Sequence, residues 1–168
     1  MNNIYYHTQE KRLTRLQSPI HCSKHYAWLG NGFYFWVDYQ DAVMWGMDSK
    51  RGTGSYEIYK AEIQSKKILN TVFNEKQYYF WKDQIEKIAK DILTKTGKKA
   101  TITKMNQYIR QRGLWKDVDG ILFQDISKKD ELIVDFYYRK RIQLVAFNAQ
   151  IVVNFIFHSE GECDVKPK

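Results

Sequence analysis

The sequence has few cysteines, and its apolar runs are short. Two cysteines, Cys22 and Cys163, occur in 168 residues, too few for a disulfide framework and without the spacing of a zinc site. No apolar run approaches the roughly 20 residues that cross a bilayer, and the first residues lack the apolar segment of a secretory signal. We therefore expect a reducing, cytoplasmic setting and no membrane partner.

Several enzyme signatures are also absent from the sequence. It has no Gly-x-Ser-x-Gly nucleophile motif, no P-loop and no His-Glu-x-x-His metal motif. Gly30-x-Gly32 lacks the third glycine of a dinucleotide-binding fingerprint, and an aromatic strand follows it where that fingerprint needs a helix. A Rossmann domain is therefore not expected, and no metal site is predicted.

Length and composition indicate one globular domain over residues 1–168. Hydrophobic residues make up 43% and aromatic residues 15% of the chain, enough for a core of its own. Apolar, β-branched runs predict strands over 4–8, 33–37, 55–63 (continued at 67–70), 119–123, 143–147 and 151–157. Helical periodicity and caps predict helices over 39–47 and 76–96, and from 101 or 103 to a stop at 113. The expected class is α+β, with a helical insertion between the third and fourth strands.

Other segments give weaker patterns. Leu13 and Leu16 predict a short helix after the first strand, ending at Ser18-Pro19. Residues 132–138 fit either a strand or an extended excursion. The apolar runs of the last two strands predict central positions in the sheet, and the polar tail over 158–168 is expected to fray.

The charge of the chain is uneven. Lysine and arginine number 27 against 19 aspartates and glutamates, a net charge of +8. Residues 82–116 lie within the segment 76–116, which contains the second and third predicted helices. They contain ten of the basic and three of the acidic residues. A basic face is typical of a polyanionic partner such as nucleic acid or an acidic protein. A solvated helix pair explains the same pattern equally well.

We expect a binding site to form around the stretch over 29–46, LGNGFYFWVDYQDAVMWG. Gly30 and Gly32 allow a positive φ or a close approach of the backbone to a ligand. A short strand that carries Tyr34 follows, and then a helix that carries Trp45. Their two rings are large enough to hold a flat ligand between them. A hairpin turn followed by core aromatics is the structural alternative.

Taken in order, these motifs resemble the ADP-ribosyltransferase superfamily, in the His–Tyr–[Glu/Asp/Gln] branch that includes the poly(ADP-ribose) polymerases and diphtheria toxin. Tyr6-His7-Thr8 is similar to the first motif of the family, Gly30–Phe35 to the second, and Val118–Ile121 to its Tyr-Asp-Gly-Ile segment. Residues 143–151, QLVAFNAQI, resemble its Glu-x-Val-Val-Phe-x-Pro-x-Gln-Ile strand, shortened by one residue. The resemblance covers most of the chain, and it implies a split β-sheet core and mono-ADP-ribosyl transfer from NAD.

The resemblance also implies roles for individual residues. His7 would bind a ribose hydroxyl of NAD, and the backbone of Thr8 would bind the carboxamide. Tyr34 and Trp45 would stack on the two sides of nicotinamide, and Gln143 would hold the 2′-hydroxyl of the nicotinamide ribose. The implied catalytic trio is therefore His7, Tyr34 and Gln143. The structural alternatives are a hydrogen-bonding strand residue for His7 and core packing for Tyr34 and Trp45.

Three further positions belong to the implied NAD site. Gly32 would let the backbone approach the ligand. Arg12 and Arg15 follow the first motif closely and would reach the pyrophosphate. A solvated helix face explains the two arginines equally well.

Gln143 departs from the glutamate that most members of the family carry. A carboxylate stabilises the positive charge of an oxocarbenium-like transition state, whereas an amide can only orient the hydroxyl. The resemblance therefore leaves three outcomes: a transferase that uses glutamine, a transferase whose carboxylate is Glu131 or Asp135, or an NAD-binding protein without transfer. The first is favoured because the branch tolerates glutamine. Arg141 stands where arginine-modifying members carry Glu or Gln, which disfavours arginine as the acceptor.

The leading interpretation is a bacterial or phage toxin that modifies a protein or a nucleic acid, with a slight preference for nucleic acid because of the basic segment. A neutralising antitoxin would be a further partner. The second interpretation is a transferase fold that binds NAD or RNA without transfer. The third is a ribonuclease that uses His7, His21 or His25 as acid and base.

Overall fold

The computed structural model describes residues 4–24, 27–49, 52–125, 132–137 and 139–164. Within these ranges the chain forms one mixed sheet and three α-helices, so the predicted α+β class is confirmed. The strands are β1 (Ile4–Glu10), β2 (Phe33–Trp36), β3 (Ser55–Ile63), β4 (Ile68–Asn70), β5 (Gly120–Gln124), β6 (Ile142–Ala146) and β7 (Val152–Glu162). The helices are α1 (Tyr39–Ser49), α2 (Glu75–Thr96) and α3 (Ile102–Gln111).

The sheet consists of two groups of strands that meet at a narrow junction. Its order is β4-β5-β6-β2-β1-β3-β7, and every pairing is antiparallel except that of β4 with β5. β1 pairs with β3 at seven positions but with β2 only at Tyr6 and Trp36. The groups β4-β5-β6-β2 and β1-β3-β7 are therefore joined by a single residue pair.

All three helices cover one face of the sheet, which we call the helical face. On β2 the alternation of side chains points Tyr34 and Trp36 to this face and Phe35 to the other. Tyr34 packs with buried residues of α2 and α3, and Trp36 packs with Ala42 of α1. The opposite face carries a separate cluster around Phe35.

Caps explain why the two longer helices begin and end where they do. Asn74 Oδ1 accepts a hydrogen bond from the Gln77 N–H at the start of α2, and Gly97 ends the helix with φ +67°. The Thr101 side chain accepts from the Lys104 N–H at the start of α3. The apolar stripe predicted for these helices is buried against the sheet at Trp81, Ile85, Ile88, Met105 and Ile109.

Several expectations are wrong in detail. No helix forms at Leu13 and Leu16: β1 continues to Glu10, irregular chain follows, and Leu13 is fully exposed. Residues 68–70 are a strand of their own, parallel to β5, so the helical insertion follows the fourth strand. β7 runs on to Glu162, where fraying was expected, because β3 pairs with it along its length. β7 is an edge strand, while β6 is central as predicted.

Residues 132–137, for which a strand or an extended excursion was expected, form no regular strand. They contain bends and a turn, and Asp135 has φ +60°. Tyr138, at the end of that prediction, lies outside the described residues. Among the helices of the described residues, none combines the length and apolarity needed to span a bilayer.

Candidate functional site

His7 joins the two groups of strands where their backbone pairing stops. Its Nδ1 lies 2.8 Å from the carbonyl oxygen of Tyr34, which lies two residues before Trp36 of the junction pair. Because a carbonyl only accepts, Nδ1 carries the proton, and Nε2 accepts from the Ile20 N–H at 3.2 Å. The ring is 2% exposed and lies on the opposite face, beside Phe35 and Phe155. In this conformation both nitrogens of His7 therefore bind the protein itself.

The loop that follows β1 returns to close the gap between β1 and β2. Besides the bond from Ile20 to His7, Cys22 and Gly32 exchange two backbone hydrogen bonds of 2.8 and 3.0 Å. Since β6 occupies one edge of β2, Cys22 lies along the other edge. Residues 20–22 thus occupy the side of β2 from which β1 has diverged.

Tyr34 is fixed by the turn that precedes its strand. Its hydroxyl donates to the Gly30 carbonyl at 2.7 Å and accepts from the Leu29 N–H at 3.1 Å. Gly30 has φ +95°, a conformation that favours glycine. Burial raises the pKa of Tyr34 well above its usual value. The phenol therefore stays neutral and acts here as a structural bridge across the Gly-x-Gly turn.

Gln143 lies on the central strand β6, on the helical face, and is 7% exposed. Its Oε1 accepts a hydrogen bond of 3.1 Å from Nε1 of Trp28. No described residue supplies an acceptor for its Nε2. The ring of Trp28 packs edge-on against Phe123, the register neighbour of Gln143 on β5. The carbonyl of Trp28 accepts from Nδ2 of Asn106 on α3 at 3.0 Å.

Trp45 and Tyr34 belong to different clusters in this conformation. Trp45 lies on α1 and packs against Trp36, with ring centroids 5.6 Å apart. Tyr34 packs with the residues under α2 and α3. The aromatic residue directly across from Gln143 is Trp36. A nicotinamide held between Tyr34 and Trp45 stays a prediction, and it needs a rearrangement of this region.

The remaining implied NAD contacts are dispersed. The Thr8 hydroxyl donates to the Ala42 carbonyl at 2.9 Å and so ties β1 to α1. Gly32 lies where a Cβ would come within 2.6 Å of the Ala146 carbonyl, so close packing on β6 requires a glycine there. Arg12 is exposed, and the Arg15 guanidinium lies 3.6 Å from the ring centre of Phe157 on β7.

Of the four other residues named in the alternatives, the structure describes His21 and Asp135. His21 packs edge-on against Phe33. Asp135 is exposed. His25 and Glu131 lie outside the described residues.

The Asp-Gly segment before β5 has a structural role. Asp119 Oδ2 accepts from the Ser65 hydroxyl at 2.7 Å, and the Asp119 carbonyl accepts from the Phe147 N–H at 2.7 Å. A Cβ on Gly120 would meet the Val145 carbonyl at 2.5 Å. This segment therefore holds the strand that carries Gln143 against its neighbours.

A buried carboxyl near the start of β6 was not expected from the sequence. Asp41, in the first turn of α1, is 2% exposed, and its Oδ1 lies 2.9 Å from Arg139. Its Oδ2 is buried and finds no partner among the described residues. Burial raises the pKa of Asp41, while Arg139 opposes the rise, Asp38 adds to it and Arg141 also opposes it.

Trp28, Trp36 and Asn106 are the neighbours of the site that the sequence does not single out. Trp28 stands directly before the Leu29–Gly46 stretch, and Trp36 lies inside it. A tryptophan two residues before the Gly-x-Gly turn is the signal that could have pointed to Trp28. Asn106 gives no such signal, since in the sequence it is one polar residue among several on an amphipathic helix. In the structure its Oδ1 is buried and has no partner among the described residues.

Two open cavities lie away from the predicted residues. One, of about 580 Å³, lies between Tyr5, Ile63 and Leu122 on the opposite face. The other, of about 390 Å³, lies at the start of α2 beside Phe73 and Tyr78. Neither of these two cavities is lined by a residue of the predicted site. No protein-family model, curated protein or solved structure matches the chain.

The close packing of Gly32 predicts a loss of stability for Gly32→Ala. A Cβ would meet the Ala146 carbonyl and the Val145 side chain, both at 2.6 Å, and such overpacking costs about 1–3 kcal/mol. Chemical denaturation measures the free energy of unfolding. The neighbouring Asn31→Ala, whose side chain is exposed, is the control. Equal stability of the two variants would contradict the close contact with β6.

The burial of Asp41 predicts that its contribution to stability falls as pH rises through the acidic range. Its pKa is raised in the folded state, so the folded chain binds this proton more tightly than the unfolded chain does. The part of the free energy of unfolding that Asp41 contributes therefore decreases as pH rises from about 4, the ordinary pKa of aspartate. Asp41→Asn should flatten this part of the pH–stability curve.

Asp83→Asn on α2 is the matched control for Asp41→Asn, because it removes an exposed carboxyl. Denaturation midpoints between pH 4 and neutrality compare the two variants with the parent. A curve for Asp41→Asn with the slope of the parent would contradict the raised pKa.

Proposed function

We propose that this chain is an ADP-ribosyltransferase that cleaves NAD, releases nicotinamide and transfers ADP-ribose to a macromolecular acceptor. The observation that supports this most is the junction of the sheet. His7, Tyr34 and Gln143 come from three distant motifs and lie on the adjacent strands β1, β2 and β6. The imidazole of His7 meets the carbonyl of Tyr34 where the sheet parts into two groups.

The shape of the sheet fits the split core that the resemblance implies. One residue pair joins the two groups of strands, and beyond it a side chain takes the place of a backbone bond. The parting leaves the edges of β1 and β2 turned toward each other. A dinucleotide bound between these edges would reach Gln143 from the β2 side, across Trp36.

Entry of NAD requires movement of residues 20–22. Ile20 donates to His7, and Cys22 pairs with Gly32 along the edge of β2. When these bonds open, the backbone of Gly32 becomes available to a ligand. Nε2 of His7 also lies 3.2 Å from Nε2 of Gln9, so a ligand that binds His7 displaces the Gln9 amide as well. The bond between Nδ1 and the Tyr34 carbonyl keeps a proton on Nδ1, so that Nε2 is the nitrogen of the neutral ring that would accept a hydrogen bond from a ribose hydroxyl.

Cleavage of the bond between nicotinamide and ribose develops positive charge on the sugar. In this chain the group on the ribose side is the neutral amide of Gln143, held in a site that excludes most water. It orients the hydroxyl but brings no negative charge, so catalysis depends on binding NAD in a bent conformation and on excluding water. We therefore expect slow turnover.

The basic segment is well placed to bind an acceptor. Lys87, Lys90, Lys95, Lys98, Lys99 and Lys104 are all exposed along α2, the following turn and α3. Exposed rings at Tyr79, Phe80 and Tyr108 accompany them, a combination suited to the backbone and bases of a nucleic acid. The same surface would suit RNA binding without transfer, which is the second candidate function.

Labelled NAD tests the transfer reaction directly. The parent chain should release nicotinamide and label a macromolecule, and Gln143→Ala should slow release on the order of 10²-fold, the cost of losing one preorganised hydrogen-bonding group. Tyr34→Ala should weaken NAD binding because the ring is lost. Circular dichroism of each variant measures the folded fraction.

Gln150→Ala and Phe73→Ala are the matched controls, since both side chains are exposed and lie outside the junction. Both should keep the rate of the parent. Binding of RNA by a parent chain that neither releases nicotinamide nor labels any acceptor would support the second candidate instead.

A nucleic-acid acceptor predicts a specific effect of charge reversal. Lys98→Glu together with Lys99→Glu should reduce labelling of the acceptor and lower the slope of log affinity against log salt by about 1 for each lost phosphate contact. Release of nicotinamide should not change, because both residues lie beyond the end of α2 and away from the junction.

The matched control for this charge reversal is Lys66→Glu with Lys67→Glu, an equally exposed pair in the turn between β3 and β4. Nuclease should remove the label if the acceptor is a nucleic acid. Label that only protease removes would identify a protein acceptor.

A further inference from the structure

We propose that Trp28 is a positioning residue that turns the amide of Gln143 so that its NH2 group, and not its carbonyl, faces the ligand. The ligand atom that Gln143 binds is then a hydrogen-bond acceptor, such as a ribose hydroxyl oxygen. This inference rests on the proposed function, and it states whether Gln143 donates a hydrogen bond to the ligand of that site or accepts one from it.

The chemistry of indole fixes the orientation of the amide. The indole Nε1–H is a donor only, so the atom of Gln143 that lies 3.1 Å from it must be the acceptor Oε1. The Nε2 group of the same amide then points away from Trp28. The side chain is 7% exposed, and its strand is paired on both sides, with β2 and with β5. Turning the amide would leave the indole N–H facing another donor.

Trp28 is itself held from three directions. Its ring packs edge-on against Phe123, with centroids 5.3 Å apart. Its carbonyl accepts from Asn106 at 3.0 Å, and Arg110 of the same helix donates to the Asn31 carbonyl. The next residue, Leu29, donates to the hydroxyl of Tyr34. α3 and the Gly-x-Gly turn therefore fix the indole before any ligand arrives.

A carboxylate at position 143 would not need this control. Both of its oxygens accept hydrogen bonds, so one would bind Trp28 while the other faces the ligand. An amide has two different ends, and only an outside donor decides which end is presented. The effect of removing the indole N–H should therefore depend on whether residue 143 is glutamine or glutamate.

A double-mutant cycle on nicotinamide release tests this dependence. The four chains are the parent, Trp28→Phe, Gln143→Glu and the double variant; phenylalanine keeps a ring against Phe123 and removes the N–H. In the glutamine background Trp28→Phe should lower kcat about fivefold, the worth of one hydrogen bond, with KM little changed. In the glutamate background kcat should stay nearly the same. Equal losses in the two backgrounds would show that Trp28 only supports packing, and would overturn the proposal.

A nitrogen-15 NMR spectrum separates this proposal from the proposed function. The side-chain NH2 signals of Gln143 should shift in Trp28→Phe, and the indole signal of Trp28 should shift in Gln143→Leu. Turnover with unshifted signals would overturn the positioning role alone. Shifted signals without nicotinamide release from any of the four chains would overturn the proposed function, and with it the catalytic purpose of the contact.

Discussion

The hydrogen bond from His7 to the carbonyl of Tyr34 is the interaction on which the arrangement of the sheet depends. β1 and β2 share one backbone pair, so the next carbonyl of β2 has lost its strand partner. A buried carbonyl without a donor costs about 1–3 kcal/mol, and the imidazole supplies that donor at 2.8 Å. The two groups of strands can therefore diverge without leaving a polar group unpaired. The same bond places a proton on Nδ1 of His7. The residue that connects the two groups of strands is therefore also the residue proposed to bind the ligand.

The turn over 28–31 connects this joint to the helical insertion. Leu29 and Gly30 hold the hydroxyl of Tyr34, while the carbonyls of Trp28 and Asn31 are held by α3. Movement of α3 would therefore shift the groups that hold Tyr34 and, through the indole of Trp28, the amide of Gln143. Since α3 also carries part of the basic segment, a partner that binds this helix would change how firmly the turn holds these two side chains.

Short-range patterns predicted the features that short-range interactions decide. The limits of β3, the end of α2 before Gly97 and the start of α3 at Thr101 follow from alternation, periodicity and capping residues, and they were predicted closely. Leu13 and Leu16 satisfied a helical spacing, but the nearby sheet extends β1 and the Leu16 N–H binds the hydroxyl of Tyr59. The contacts that define the junction join residues 27 to 115 positions apart. Spacing along the chain carries no information about such contacts, so Trp28 and Trp36 emerged only from the structure.

A glutamine at position 143 keeps the junction free of a buried charge. The residue is 7% exposed and lies on the central strand, where an ionised carboxylate would lose most of its hydration and shift its pKa upward. One donor, the indole of Trp28, would not offset that loss. A neutral amide satisfies the same donor without a buried charge, and it remains available for a ligand through Nε2. Among the described residues Gln143 meets one fixed side-chain donor, the indole of Trp28. Such surroundings suit an amide better than the carboxylate that the resemblance implies at this position, because they hold few donors for a negative charge.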